Sequence, residues 1–135
     1  MDGVRLIQQE IIRNPKGNIY HFIKNNDKEF KEFGECYFSF VNNGETKGWK
    51  KHNKMILNIV VPIGEIKFVI YNPKTKFFFE VNLSSDNYKK LTILPGLWVA
   101  FKGLSKVNML SNLASINHDP SESENLELFK INYNW

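Results

Sequence analysis

Apolar residues along this chain come in short runs closed by glycine, proline or asparagine corners, and almost none recur at helical spacing. Such runs fold as β-strands joined by turns, because alternate side chains of a strand face opposite sides and a corner residue ends the pairing. Residues 35–41 alternate well, with Cys36, Phe38 and Phe40 on one face and Tyr37, Ser39 and Val41 on the other. Residues 55–61 are nearly continuous apolar, the pattern of a strand buried on both faces, and Pro62 and Gly64 bend the chain after it. Residues 65–71 and 76–83 read as a hairpin around Asn72-Pro73-Lys74-Thr75. Strands are also expected over 19–24, 88–94, 97–102 and 107–114, while 4–13 fits either a strand or a short helix. Residues 14–18 form a turn and 25–32 a polar connection. Asp119 is placed to cap a short helix with Pro120 at its first position. The aromatic tail, 129–135, is expected to pack down. About eight or nine strands with such corners predict an all-β sandwich or small barrel.

A chain of 135 residues is read as one domain, 1–135, large enough for its own core. Its 11 Phe fall mostly in strand-like runs and predict an aromatic β core. No apolar stretch reaches the ~18 residues of a membrane span, and the N-terminus lacks a signal peptide's apolar centre. Cys36 is the single cysteine, which excludes an intrachain disulfide and a thiolate cluster, and its alternating run predicts a core position. A cytoplasmic protein without a membrane partner is expected. The net charge of +4 fits either a solvated lysine-rich surface or a pocket for a phosphate-bearing ligand.

Few residues can carry chemistry. The histidines are His21, His52 and His118, and the densest polar cluster is Lys47-Gly-Trp-Lys-Lys-His-Asn-Lys54. A strand extended from His52 onward would put His52, Lys54, Ile56, Asn58 and Val60 on one face. Asn58, polar within an apolar run, either is satisfied in the core or lines a cavity. A metal site is not expected, because His52 has no histidine partner at short spacing and His21 and His118 lie on other segments. Neither a Gly-flanked serine elbow nor a phosphate-cradling glycine loop is present.

The stretch from Lys47 to Gly64 resembles the first cupin motif of the dTDP-4-dehydrorhamnose 3,5-epimerases and the dTDP-4-oxo-6-deoxyglucose 3,4-ketoisomerases. Leu94-Pro95-Gly96-Leu97-Trp98 is similar to their second cupin corner, and Leu113-Ala114-Ser115 with the acidic residues after Asp119 to their last strand and acidic loop. The resemblance implies a cupin, a double-stranded β-helix or jelly-roll barrel. Three positions depart from the family pattern. Lys50 stands where the ketoisomerases have their first histidine, Val99 where the epimerases have one after the corner, and Asn112 where they have a tyrosine.

The resemblance further implies a nucleotide-linked 4-keto sugar as ligand, no metal and no cofactor. The keto group acidifies neighbouring C–H bonds, so a base, an oxyanion-stabilising cation and an acid suffice. His52 is the candidate base, since imidazole ordinarily titrates near neutral pH. Tyr37 is the candidate acid, with Tyr71 as its substitute. Lys47, Trp49, Lys50, Lys54, Asn58, Trp98 and Asn112 are the candidate substrate-binding residues. The expected activity is that of a 3,5-epimerase, with a 3,4-ketoisomerase or a catalytically silent cupin as alternatives. A homodimer is expected, and Phe78, facing opposite to Phe77 and Phe79, is placed to fill either the core or a partner's surface. A nucleic-acid-binding barrel would need exposed aromatics, whereas Phe38, Phe40, Phe68, Phe77 and Phe79 alternate as core residues do, so no nucleic-acid partner is expected.

Overall fold

Turn residues fall at the corners and strands fill the spaces between them in the computed structural model, which describes residues 1–135. The strands are β1 (Val4–Gln8), β2 (Ile11–Ile12), β3 (Ile19–Tyr20), β4 (Glu35–Phe40), β5 (Thr46–His52) and β6 (Leu57–Ile63). They continue with β7 (Glu65–Tyr71), β8 (Phe78–Ser84), β9 (Lys89–Ile93), β10 (Trp98–Gly103), β11 (Met109–Ala114) and β12 (Ser123–Asn125). One antiparallel sheet has the order β1-β9-β6-β11-β4, a second β12-β5-β10-β7-β8, and β2 pairs with β3. The two large sheets face each other as a jelly-roll barrel, with Val61, Ile66, Phe68, Ile70 and Leu91 packed between them.

Residues 4–13 resolve as strand, and the run from Ile19 stops at Tyr20. The clearest surprise is β5. Its residues are mostly polar, so alternation by hydropathy does not mark it. Asp119 caps a single 3-10 turn, Pro120–Glu122, by accepting the Ser121 N–H at 3.0 Å. No helix is long and apolar enough to cross a membrane.

Each sheet is covered differently outside. Over the β9–β6 part of the first sheet lies the polar connection, anchored by Lys90, whose Nζ donates to Asp27 Oδ2 at 2.8 Å and lies 3.6 Å from Glu29 Oε2. The Lys90 hydrogen bond holds the Asp27 carboxyl below its ordinary range. Outside the second sheet the tail packs down from Ile131 onward, while Phe129, expected to pack with it, is 77% exposed. Ile131, Tyr133 and Trp135 close over Trp49, Val69, Trp98 and Ala100.

The expected core positions of Cys36, Phe38 and Phe40 are not observed. Cys36 is exposed, Phe38 is 66% exposed and Phe40 54%. β4 is the outermost strand of its sheet and its inner face already carries Glu35, Tyr37 and Ser39, so the alternate residues face outward. Phe77 precedes β8 and is also exposed. Phe78 packs half-buried on its own chain, 4.8 Å from the Tyr71 ring and 5.2 Å from Tyr133, which is the intrachain one of its two expected places.

Candidate active site

β5 brings three cationic or titratable side chains to one wall of the barrel by means of a bulge. Val99 of β10 pairs with Lys50 and Phe101 with Lys47, so Gly48 and Trp49 together oppose Ala100. Two residues against one reset the alternation. Lys47 and Lys50 therefore both point inward, although an odd spacing would separate them on a regular strand. Only glycine fits at position 48: its φ is +140°, and a Cβ there would lie 2.4 Å from that of Ala100.

His52 ends β5 and points the same way. Its Nδ1 is hydrogen-bonded to Glu122 Oε1. The other oxygen, Oε2, accepts the N–H groups of Asn53 (3.1 Å), Lys54 (3.0 Å) and Met55 (3.2 Å). The turn capped by Asp119 sets Glu122 there, and β12 locks it by pairing Ser123 with His52. Burial pushes the Glu122 carboxyl up, but the bonds from His52, Lys54 and Met55 outweigh it and hold the group below its usual range. An ionised carboxylate only accepts, so Nδ1 carries a hydrogen, and Nε2 is the ring nitrogen left for the cavity that His52 lines.

The facing wall belongs to β4. Tyr37 lines the cavity, and its hydroxyl accepts a hydrogen bond from Asn112 Nδ2 at 3.0 Å. Partial burial raises the Tyr37 phenol above its ordinary value, Asn112 works against that, and the Glu35 carboxylate adds to the rise. The group stays a protonated phenol at neutral pH. Between the walls is a cavity of about 710 Å3, floored by Met55, Leu57 and Ile59. That is within the range of small-molecule sites, on the order of 300–1,000 Å3. Lys47 Nζ reaches across its mouth to Ser39 Oγ at 3.4 Å.

A family model described as FdtA: WxcM-like, C-terminal matches residues 2–132. The chain belongs to this FdtA family. Among solved structures, a dTDP sugar isomerase from Desulfovibrio desulfuricans G20 is 30% identical, with a TM-score of 0.94 over 99% of this chain and 91% of that one. QdtA, a sugar 3,4-ketoisomerase from Thermoanaerobacterium thermosaccharolyticum in complex with TDP, has a TM-score of 0.82 at 22% identity, over 97% of this chain and 93% of that one. The 3,5-epimerase RmlC from Legionella pneumophila Philadelphia 1, in complex with dTDP-4-keto-L-rhamnose, has a TM-score of 0.84 at 18% identity, over 95% and 74%. No curated protein sequence matches. The FdtA assignment agrees with the resemblance read from the motifs, and the fold is the expected all-β cupin.

Of the residues singled out in the sequence, His52, Tyr37, Lys47 and Lys50 line the cavity of this FdtA-family chain. Trp49 borders it, but its indole is turned outward, with Nε1 donating to the Leu128 carbonyl at 3.2 Å and the ring 5.8 Å from Trp135. Trp98 pairs with Lys51, not Lys50, and so lies on the outer face. Neither ring is free to stack on a sugar. Tyr71 sits in the same outer cluster. Lys54 is exposed outside the cavity and serves the site through its backbone N–H. Asn58 lies outside the barrel, accepting from Thr92 Oγ1 at 2.6 Å and donating to the Glu29 carbonyl at 3.2 Å. The expected shared face of His52 and Asn58 fails because a turn over residues 53–56 separates β5 from β6 and the alternation restarts. Asn112 is wholly buried behind Tyr37.

The sequence reading missed Glu122, Glu35 and His118, which line or support the cavity. Glu122 had one legible signal, the Asp119-Pro120 cap that fixes the turn holding it. Nothing local marks its partner, which is 70 residues away.

Proposed function

We propose that this chain is a cofactor-independent isomerase that moves protons beside the carbonyl of a dTDP-linked 4-keto-6-deoxy sugar. The observation that carries this reading is the His52–Glu122 pair on the wall of a ligand-sized cavity. His52 Nε2 takes the proton from the carbon next to the carbonyl. The C–H electron pair becomes a C=C bond, and the carbonyl π pair moves onto oxygen as an enolate. Lys47 and Lys50, both on the cavity wall, stabilise that charge and the diphosphate. Glu122 stabilises the imidazolium that forms.

Tyr37, on the facing sheet, returns a proton to the same carbon from the other side and gives the epimer; water then reprotonates the phenolate and takes the proton from the His52 imidazolium. This is the 3,5-epimerase-like outcome. A second outcome is favoured by the relative at 30% identity, which is described as a dTDP sugar isomerase. There the adjacent hydroxyl passes its proton to the enolate oxygen, the first proton returns to the former carbonyl carbon, and the product is a 3,4-ketoisomer. Incubation with a dTDP-4-keto-6-deoxy sugar in deuterium oxide tests the reading. Deuterium is expected at C3 or C5 for the epimerase outcome and at C4 for the ketoisomerase outcome, and His52→Asn is expected to abolish it. The absence of both incorporation and a ketoisomer product at high protein concentration would make this a silent cupin.

The reading includes a homodimer. Phe40, Met109 and Ile63 stand side by side across β4, β11 and β6 on the outer face, with Phe38 beside them, and Phe38 and Phe40 are each more than half exposed. A second copy would bury that row. A monomer in sedimentation at micromolar concentration would refute this part. The reading also includes a cytoplasmic setting, a role in polysaccharide biosynthesis, and one catalytic domain over residues 1–135.

A further inference from the structure

We propose that Asn112 is a positioning residue that turns the Tyr37 hydroxyl proton into the cavity. The proposal rests on the reaction above and deepens it. Asn112 lies on β11 directly across from Tyr37 on β4, and none of its surface reaches solvent. The backbone N–H of Asn58 donates to its Oδ1 at 3.0 Å. A backbone N–H can only donate, so the amide oxygen must face Asn58 and the NH2 must face Tyr37.

Nδ2 is 3.0 Å from the Tyr37 oxygen. The NH2 group has no acceptor to offer, so it occupies a lone pair of the hydroxyl oxygen and rejects the hydroxyl's own hydrogen. No other protein group within hydrogen-bond distance accepts that hydrogen. The open direction is the cavity that Tyr37 lines. A bound sugar thus meets an O–H donor, and the phenolate left after proton transfer is held by an amide N–H until water reprotonates it. One buried side chain, fixed by the strand beside it, sets both the direction of the proton and the stability of the anion.

Asn112→Asp tests this, because it keeps the bond accepted from Asn58 and replaces the NH2 donor with an acceptor. Tyrosine 13Cζ NMR reads the phenol directly, with the Tyr37 signal assigned by its loss in Tyr37→Phe. The Tyr37 titration midpoint is expected to rise by about 1 pH unit or more in Asn112→Asp. Deuterium exchange into the sugar is expected to fall on the order of 100-fold. In a Tyr37→Phe background, Asn112→Asp is expected to cost nothing further. An unchanged Tyr37 midpoint, or losses that multiply in the double variant, would overturn the proposal. Should Asn112→Asp not fold, Asn112→Leu gives the same midpoint test without a buried charge. A wild-type protein without exchange whose Tyr37 midpoint still moves would sink the reaction and leave the hydroxyl orientation standing.

Discussion

Strand β5 sends Lys47, Lys50 and His52 into a hollow of about 710 Å3 and Trp49 and Lys51 onto the other side of the same sheet. There the tail, Trp98 and Trp135 leave Trp49 only 1% exposed. On the inner side the polar atoms are fixed and space is left over. On the outer side aromatic rings fill the space. Neighbouring residues thus do different work. The rigid outer packing holds the strand, and the strand holds the imidazole, so binding groups are kept in place without being packed against.

The largest effect that separates the two sides is expected from Glu122→Gln. The amide NH2 would donate to Nδ1 of His52, moving the ring hydrogen to Nε2 and removing the base. The exchange rate is expected to fall by about 100- to 10,000-fold, and 15N NMR of the imidazole reports the tautomer. An unchanged rate would mean that Glu122 serves only the fold. Next is Trp98→Ala, which truncates the outer packing and is expected to destabilise by about 3–5 kcal/mol in urea unfolding. Exchange per folded molecule should hold within a few-fold; a collapse of rate in fully folded protein would erase the division between the two sides.

A smaller effect follows from pH. The folded-state Glu122 carboxyl lies below its ordinary value of 4.5. Its contribution to stability is therefore complete above that value and is lost as pH falls through the depressed folded one. Unfolding titrations of the wild type and Glu122→Gln should converge as the pH is lowered below about 4; parallel curves would contradict the assignment. The smallest effects come from two adjacent lysines. Lys51 lies 5.1 Å from the Trp98 ring centroid and 3.0 Å from Glu124, partly exposed, so Lys51→Ala should cost under about 1 kcal/mol and leave KM alone. Lys50→Ala should raise KM and slow exchange with no loss of stability. An exchange of these two outcomes would reverse the facing of the strand.

Hydropathy made the inner strands legible, since β6 is largely buried on both sides and reads as an apolar run, while β7 was marked by the turn that joins it to β8. The corners and the short cap before Glu122 were legible for the same local reason. β5 was not, because its inner residues are cations and its outer ones include a tryptophan, which inverts the usual rule. Both Trp49 and Trp98 therefore read as ligand-facing when they belong to the outer cluster. Phe38 and Phe40 read as core because alternation states that two faces differ, not which one is inside. Asn58, Asn112 and Glu122 depend on partners far along the chain, which no local pattern encodes.

The bulge at Gly48 and Trp49 makes this wall depend on backbone geometry as well as on side chains. Ironing it out at full length would turn Lys47 to the outside and Thr46 inward, whereas loss of one bulged residue would leave Lys47 two places from Lys50 and keep both lysines inward. Any recombination or loop-grafting of this strand must therefore keep either the bulge, with its glycine, or the shorter regular spacing.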